Sequence, residues 1–478
     1  MKDEKPHLRR VLGRWDLVLL FVVAVTNLNV VPVVAAGGPV TLWLWLLALV
    51  FFFWPQGVAV VELAHRYPGE GGVYLWTKQM FGDFHGFISG WCYWTNNVFY
   101  VPTVLFYLVG ISVYVGGAGA TTLADNRLFV LLFSLGLLWL MVGLNVRGLV
   151  VGKWVNNLGG IGTAVGAAAL IGLAVVVGRT HGISLPAGGF GLQGADWRLI
   201  STFGVICFGL VGLELGSVMG DEIRDPQRTV PGAVVWGGVI SGVLYIGVTL
   251  AMLLALPRQD IGVVQGVMQA VSKLSGDSGL AWIVAPLALV LSISTAGIAS
   301  AWFVGSARIP FVAGLDRYLP AVLGKLHPRF ATPYVALIVH AALSSLFVAM
   351  SFVGATVKEA YVTMLDLAVI LQLVPFLYMY AALVRLAAGA ASDSAHYKRR
   401  TLWLAGVSGF SMTALGMVLA FVPSRNIESV WLFELKMLSG SALFIAVAIF
   451  FFKVYGARKS REDWDLVGAK SGAPGGTL

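Results

Sequence analysis

Twelve apolar stretches, each long enough to cross a bilayer as a helix, run through this chain of 478 residues. They lie at about 16–36, 41–64, 84–110, 128–146, 155–178, 200–219, 231–256, 280–306, 334–354, 360–384, 402–422 and 433–453. A hydrocarbon core about 30 Å thick takes roughly 20 helical residues to cross. Without water in that core every backbone N–H and C=O must be satisfied internally, which leaves helices and closed barrels as the only spanning structures. The pattern therefore predicts an all-α membrane protein of twelve transmembrane helices. Hydrophobic residues make up 58% of the chain and charged ones 12%, which excludes a soluble domain.

An even number of spans puts both termini on one side of the membrane. With that topology, 24 of the 32 Lys and Arg fall on the terminal side, among them Arg66, Lys78, Arg147, Arg308, Arg317 and the run Lys398–Arg400. The positive-inside rule makes that side cytoplasmic. The net charge of +9 thus reflects topology in a cell membrane, and no nucleic-acid partner is expected. Residues 1–15 read as a cytoplasmic N-terminus, and the absence of a small-residue cleavage site gives no removable signal peptide. Polar residues 456–478 read as a disordered cytoplasmic tail. Within the connection 257–279, VVQGVMQAVSKL predicts a short amphipathic helix over the outer mouth. The expected partners are the lipid bilayer and a small molecule, with homo-oligomerisation left open.

Residues 203–231, FGVICFGLVGLELGSVMGDEIRDPQRTVP, interrupt the sixth span. Gly209, Gly212 and their neighbours each cost roughly 1 kcal/mol in a helix interior. Glu214 adds a carboxyl group whose burial in a bilayer costs on the order of 3 kcal/mol. Such a segment reads as a broken helix beside a polar cavity. The first span is interrupted by Thr26, Asn27, Leu28 and Asn29, five spans earlier. Two interruptions five spans apart imply inverted five-helix repeats, about 16–178 and 200–384, with discontinuous helices 1 and 6 and with helices 11–12 (402–453) outside.

Other polar groups also lie in spans. In GWCYWTNNVFYVP, Tyr93, Asn96 and Asn97 occupy the third, and Asn97 is the amide taken to face the site. Asp366 is a second intramembrane acid, able to bind a cationic amine, carry a proton or cap a break. Glu62 beside Arg66 reads as a structural ion pair belonging to the inner gate. The Asp221–Arg228 cluster abuts the broken helix, and with Arg308 it reads as an inner gate made of Glu222, Arg224, Arg228 and Arg308. Phosphate-binding loops and His/Cys/Asp groups with metal-ligand spacing are missing from the sequence, so no metal, no cofactor and no enzymatic chemistry are expected.

Four segments in order, PQGVAVVELAHRYPGEGGVYLW (55–76), FGLVGLELGSVMGDEIRDPQRTVPGA (208–233), AWFVGSARIPFVAGLDRYLP (301–320) and LQLVPFLYMYAAL (371–383), resemble the amino acid–polyamine–organocation family of secondary transporters. The resemblance covers nearly the whole chain. It implies a permease that moves amino acids or related amines by alternating access, proton-coupled or by exchange. It also implies that Glu214 couples protons or gates, that Phe208 is an aromatic lid, and that Trp302 is a gate. The first span departs from the family's glycine-rich break, which puts the usual carboxylate cradle in doubt. The competing reading is a nutrient sensor on the same scaffold that binds without transporting.

Overall fold

The computed structural model describes residues 12–69, 71–147, 149–182, 200, 202–218, 223–351, 357–389, 396–422 and 430–471, without the side chains of 118, 149–153, 181, 315, 351, 360, 432 and 457–471. The described chain is helical, with no strand among these residues and one isolated parallel bridge, Leu12 to Ile223. In order the helices are α1 (Arg14–Val25), α2 (Val31–Ala35), α3 (Thr41–Ala48), α4 (Trp54–Arg66), α5 (Val73–Phe81), α6 (Asp83–Ser112), α7 (Arg127–Val146), α8 (Leu149–His181) and α9 (Thr202–Gly209). They continue as α10 (Leu215–Val218), α11 (Pro226–Ala255), α12 (Gly266–Asp277), α13 (Val284–Ser306), α14 (Arg308–Leu315), α15 (Tyr334–Ser351), α16 (Val357–Ala388), α17 (Arg399–Leu419) and α18 (Val430–Ser471).

Nine of the described helices are long and apolar enough to span a membrane, α3 and α4 counting as one through a π-helical turn at Leu49–Phe53. Tyr334–Met350 is a shorter apolar helix. The remaining apolar stretches are the interrupted pairs α1/α2 and α9/α10. Local chemistry sets several boundaries. Asn126 caps α7 by accepting the Phe129 N–H at 3.1 Å, and Pro226 opens α11 at a position where no amide donor is needed. The amphipathic helix expected over 257–279 is α12, whose Val267, Met268, Val271 and Leu274 are buried.

Helix α6 is the central column: 89% of its apolar window is buried by protein, against 17% for α18. It packs on α5, α13, α15 and α16. Helices α1, α8 and α13 come together behind the site, where Gly159 and Gly297 face each other. A Cβ on Gly159 would lie 2.8 Å from Gly297 Cα, so only glycine permits this crossing. Helix α18 runs to Ser471, whereas composition places the end of ordered chain near Tyr455. Its extension, GARKSREDWDLVGAKS, carries Lys, Arg, Ala or Glu at seven of sixteen positions, residues that lose little rotamer freedom in a helix and so prolong it once a span has nucleated the turn.

Candidate functional site

The two interruptions meet at the centre of the bundle. The first helix stops at Val25, residues 26–30 are non-helical, and Pro32 restarts the helix as α2. Pro32 has no N–H to give to Leu28, so a continuous helix would lose a bond there in any case. The second break, residues 210–214, turns on Gly212 at φ +142°, a backbone conformation that side chains disfavour. A Cβ on Gly212 would stand 2.9 Å from Ala24 C, so the breaks pack backbone to backbone.

Broken helices expose amides and carbonyls that need partners. Tyr245 of α11 serves three of them. Its hydroxyl accepts the Asn27 N–H at 2.9 Å and faces the carbonyls of both Gly209 (2.6 Å) and Val25. Asn27 Nδ2 reaches Gly209 O at 3.4 Å, Thr26 Oγ1 donates to Ser241 Oγ at 2.9 Å, and Trp302 Nε1 donates to Ala24 O at 3.1 Å. Leu28 is buried in the turn. Tyr245→Phe removes an oxygen shared by three buried backbone groups. The expected loss is about 2 kcal/mol of stability, read as a lower melting temperature in detergent, with the protein still folded.

Above the breaks stands a box of rings. Tyr100 meets Phe208 edge-on at 4.9 Å and Trp302 edge-on at 5.9 Å, and Tyr93 lies 6.3 Å from Trp302. Asn29 is tied into it, accepting from Tyr100 Oη at 3.3 Å and giving its carbonyl to Tyr361 Oη at 2.7 Å. All of these side chains are buried, so the rings close on one another.

Below the rings, four donors converge on Glu214. Its Oε2 accepts from Gln56 Nε2 and from the Gly212 N–H, both at 2.9 Å. Its Oε1 accepts from Tyr93 Oη at 3.1 Å and Gln372 Nε2 at 3.4 Å. The carboxyl group therefore joins α4, α6, α16 and the second break. Gln372 continues the chain to Asn96. Asn97, the amide favoured from the sequence, instead returns its Nδ2 to Tyr93 O at 2.9 Å and leaves Oδ1 unpartnered. The reason is register: Asn96 is the residue that meets α16. Asp366 is buried on α16, but it lies about 140° around the helix from Tyr361, whose face Gln372 shares. Among the described residues it makes no hydrogen bond to Glu214 or to the ring box.

The expected inner-gate residues are dispersed. Glu62 pairs with Arg66 at 2.5 Å and also accepts the N–H groups of His396 and Tyr397, fastening α4 to the segment before α17. Arg308 is buried and donates to Val304 O at 2.6 Å. Arg224 bonds through its backbone to Leu12 O at 2.9 Å. Arg228 is 90% exposed and faces Asp225 at 3.7 Å in solvent. Glu222 and Asp221 lie outside the described residues. A polar cluster on this face was missed in the sequence: Lys78 pairs with Asp316 at 2.5 Å and approaches Asp83 at 3.7 Å, while Tyr74 and Tyr318 donate to Asp316 and Asp83 respectively. Burial, reinforced by the Asp316 carboxylate, raises the Tyr74 pKa well above its usual value, so this phenol stays a donor.

Also unflagged in the sequence were Tyr100, Tyr245, Tyr361, Gln56 and Gln372. The two glutamines carried a usable signal, an amide inside an apolar stretch, of the kind that singled out Asn96 and Asn97. The tyrosines carried none, being equally at home at membrane interfaces.

Comparison with known proteins gives a consistent result. The sequence model of a family described as amino acid permease matches residues 12–452. An uncharacterized transporter of Legionella pneumophila is 27% identical over 96% of this chain and 100% of its own length. A probable agmatine/putrescine antiporter of Lactococcus lactis is 24% identical over 62% of each chain. A branched-chain amino acid permease of Bacillus subtilis is 25% identical over 69% of this chain and 72% of its own.

Proposed function

The chain belongs to the amino acid permease family, and from that premise we propose that it moves an amino acid or a related amine across the cytoplasmic membrane by alternating access. It is a multi-pass membrane transporter. The finer reading has twelve spans in two inverted repeats, both termini in the cytoplasm, and a substrate held between the two breaks. The observation that carries it is the convergence of four donors on Glu214 directly beneath a closed ring box, at the junction of both broken helices.

The geometry supports a mechanism of this kind. As a carboxylate, Glu214 accepts all four hydrogen bonds. Once protonated it must donate one, so at least one donor has to turn or leave. Because the donors sit on α4, α6, α16 and the second break, protonation loosens ties between the elements that have to separate. Phe208, Tyr100 and Trp302 form the lid, and their faces offer cation–π contact to an amine. A preference for cationic substrates rests on these rings and on Glu214. On the inner face, the Lys78–Asp316–Tyr74 cluster is the closure, with the Glu62–Arg66 pair as a fixed brace.

Counterflow in proteoliposomes tests this reading. Vesicles preloaded with unlabelled agmatine, arginine or leucine are expected to accumulate the matching labelled compound at a rate that depends on pH. A ligand that raises the melting temperature but gives no flux with any preload would make the protein a sensor and overturn the transport reading.

A further inference from the structure

Between the end of α16 and the start of α17 lies a groove of ≈ 420 Å³, lined by Ala387, Ala388, Arg399, Arg400, Trp403 and Leu404. Its floor is made of small residues. Two arginines flank its mouth, and neither α17 nor the last two turns of α16 contains an acid. The guanidinium groups are exposed and ion-paired to no described carboxylate, whereas the neighbouring Arg385 is spent on Met80 O and the Phe81 ring. Arg399 is the first residue of its span, which puts the mouth at headgroup depth. From there Trp403, Val407 and Phe410, exposed by 52%, 36% and 41%, continue at helical spacing along the outward face of α17.

We propose that this groove is a binding site for one anionic phospholipid, its phosphate held by Arg399 and Arg400 and its acyl chains laid along Trp403, Val407 and Phe410. Guanidinium pairs suit phosphate because they donate in a planar fork. The apolar track decides between a lipid and a free phosphate ion, since an ion would use only the mouth. Basic pockets between helices on the cytoplasmic side are chemically suited to such headgroups. The site is independent of the substrate reading, as it lies outside the ring box and the Glu214 junction.

The test uses the full-length protein in nanodiscs of phosphatidylcholine, with and without phosphatidylglycerol. Native mass spectrometry counts retained lipid and melting temperature follows stabilisation. The wild type is expected to retain phosphatidylglycerol and to gain stability from it. In the R399Q/R400Q variant, affinity falls roughly thirtyfold, at about a factor of five per arginine near the membrane surface. The variant R329Q, which removes an exposed arginine elsewhere on the same face, is expected to behave as wild type. Should the double variant not be recovered folded, R400Q alone carries the test with a roughly fivefold loss. Equal retention by wild type and variant overturns the site, as does equal retention of phosphatidylcholine. Stabilisation reproduced by inorganic phosphate in pure phosphatidylcholine would make the ligand an ion and overturn the lipid assignment.

Discussion

Glu214→Gln is expected to lower the transport rate about a hundredfold, the equivalent of two charge-assisted hydrogen bonds at roughly 1.5 kcal/mol each, and to flatten its dependence on pH. The substitution keeps the side chain's size and burial. What it changes is donor–acceptor balance: Gln56 Nε2 and the Gly212 N–H both aim at one oxygen, and Tyr93 and Gln372 at the other. An amide offers one oxygen and one nitrogen, so one pair of donors faces another donor. Gln56 and Gln372 can each flip, which keeps the variant folded and confines the damage to the transport cycle. Uptake at several pH values in proteoliposomes checks this. A wild-type rate with a wild-type pH profile would remove Glu214 from the mechanism.

Gly212→Ala carries the other large effect, this time on folding. The residue sits at φ +142°, and an added Cβ would lie 2.9 Å from Ala24 C and 3.0 Å from both Ala24 O and Val25 N. The obstacle is backbone, so no side chain can rotate away. Backbone strain of about 1–3 kcal/mol adds to the displacement of the first break, for a total near 4 kcal/mol. Thermal unfolding in detergent should show a melting temperature lowered by many degrees, or no recoverable protein. Gly136→Ala in α7, where an added Cβ meets nothing within 4 Å, is the matched control and should be close to neutral. Equal stability of the two variants would mean that the breaks do not depend on this contact.

Both breaks were legible because their causes are local. Thr and Asn compete for backbone hydrogen bonds at 26–29, and Gly209 and Gly212 weaken the second helix where they stand. The apolar stretches were legible for the same reason, to within a few residues of α3 through α17. The partners of the breaks were not. Gln56 and Glu214 are 158 residues apart, and Tyr245 meets Val25 across 220. Such pairings depend on how distant helices pack, which leaves no periodicity in one sequence. That Asn96 rather than Asn97 meets Gln372 has the same cause. The residue type was noticed, but the direction of its side chain follows from neighbours that the sequence does not identify. Lys78 and Asp83 lie on one connection and Asp316 on another more than 230 residues later, so their meeting left no mark in the sequence.

The Tyr245 hydroxyl touches one atom of each interruption, Val25 O and Gly209 O, and holds the Asn27 amide between them. Two hinges pinned by a single oxygen cannot swing independently. In the alternating-access cycle proposed above, the bundle would therefore rock on one axle, the two turns staying together while the outer and inner halves tilt around them. On that proposal, substitutions among the rings beside the axle would change substrate preference without altering the machinery that turns.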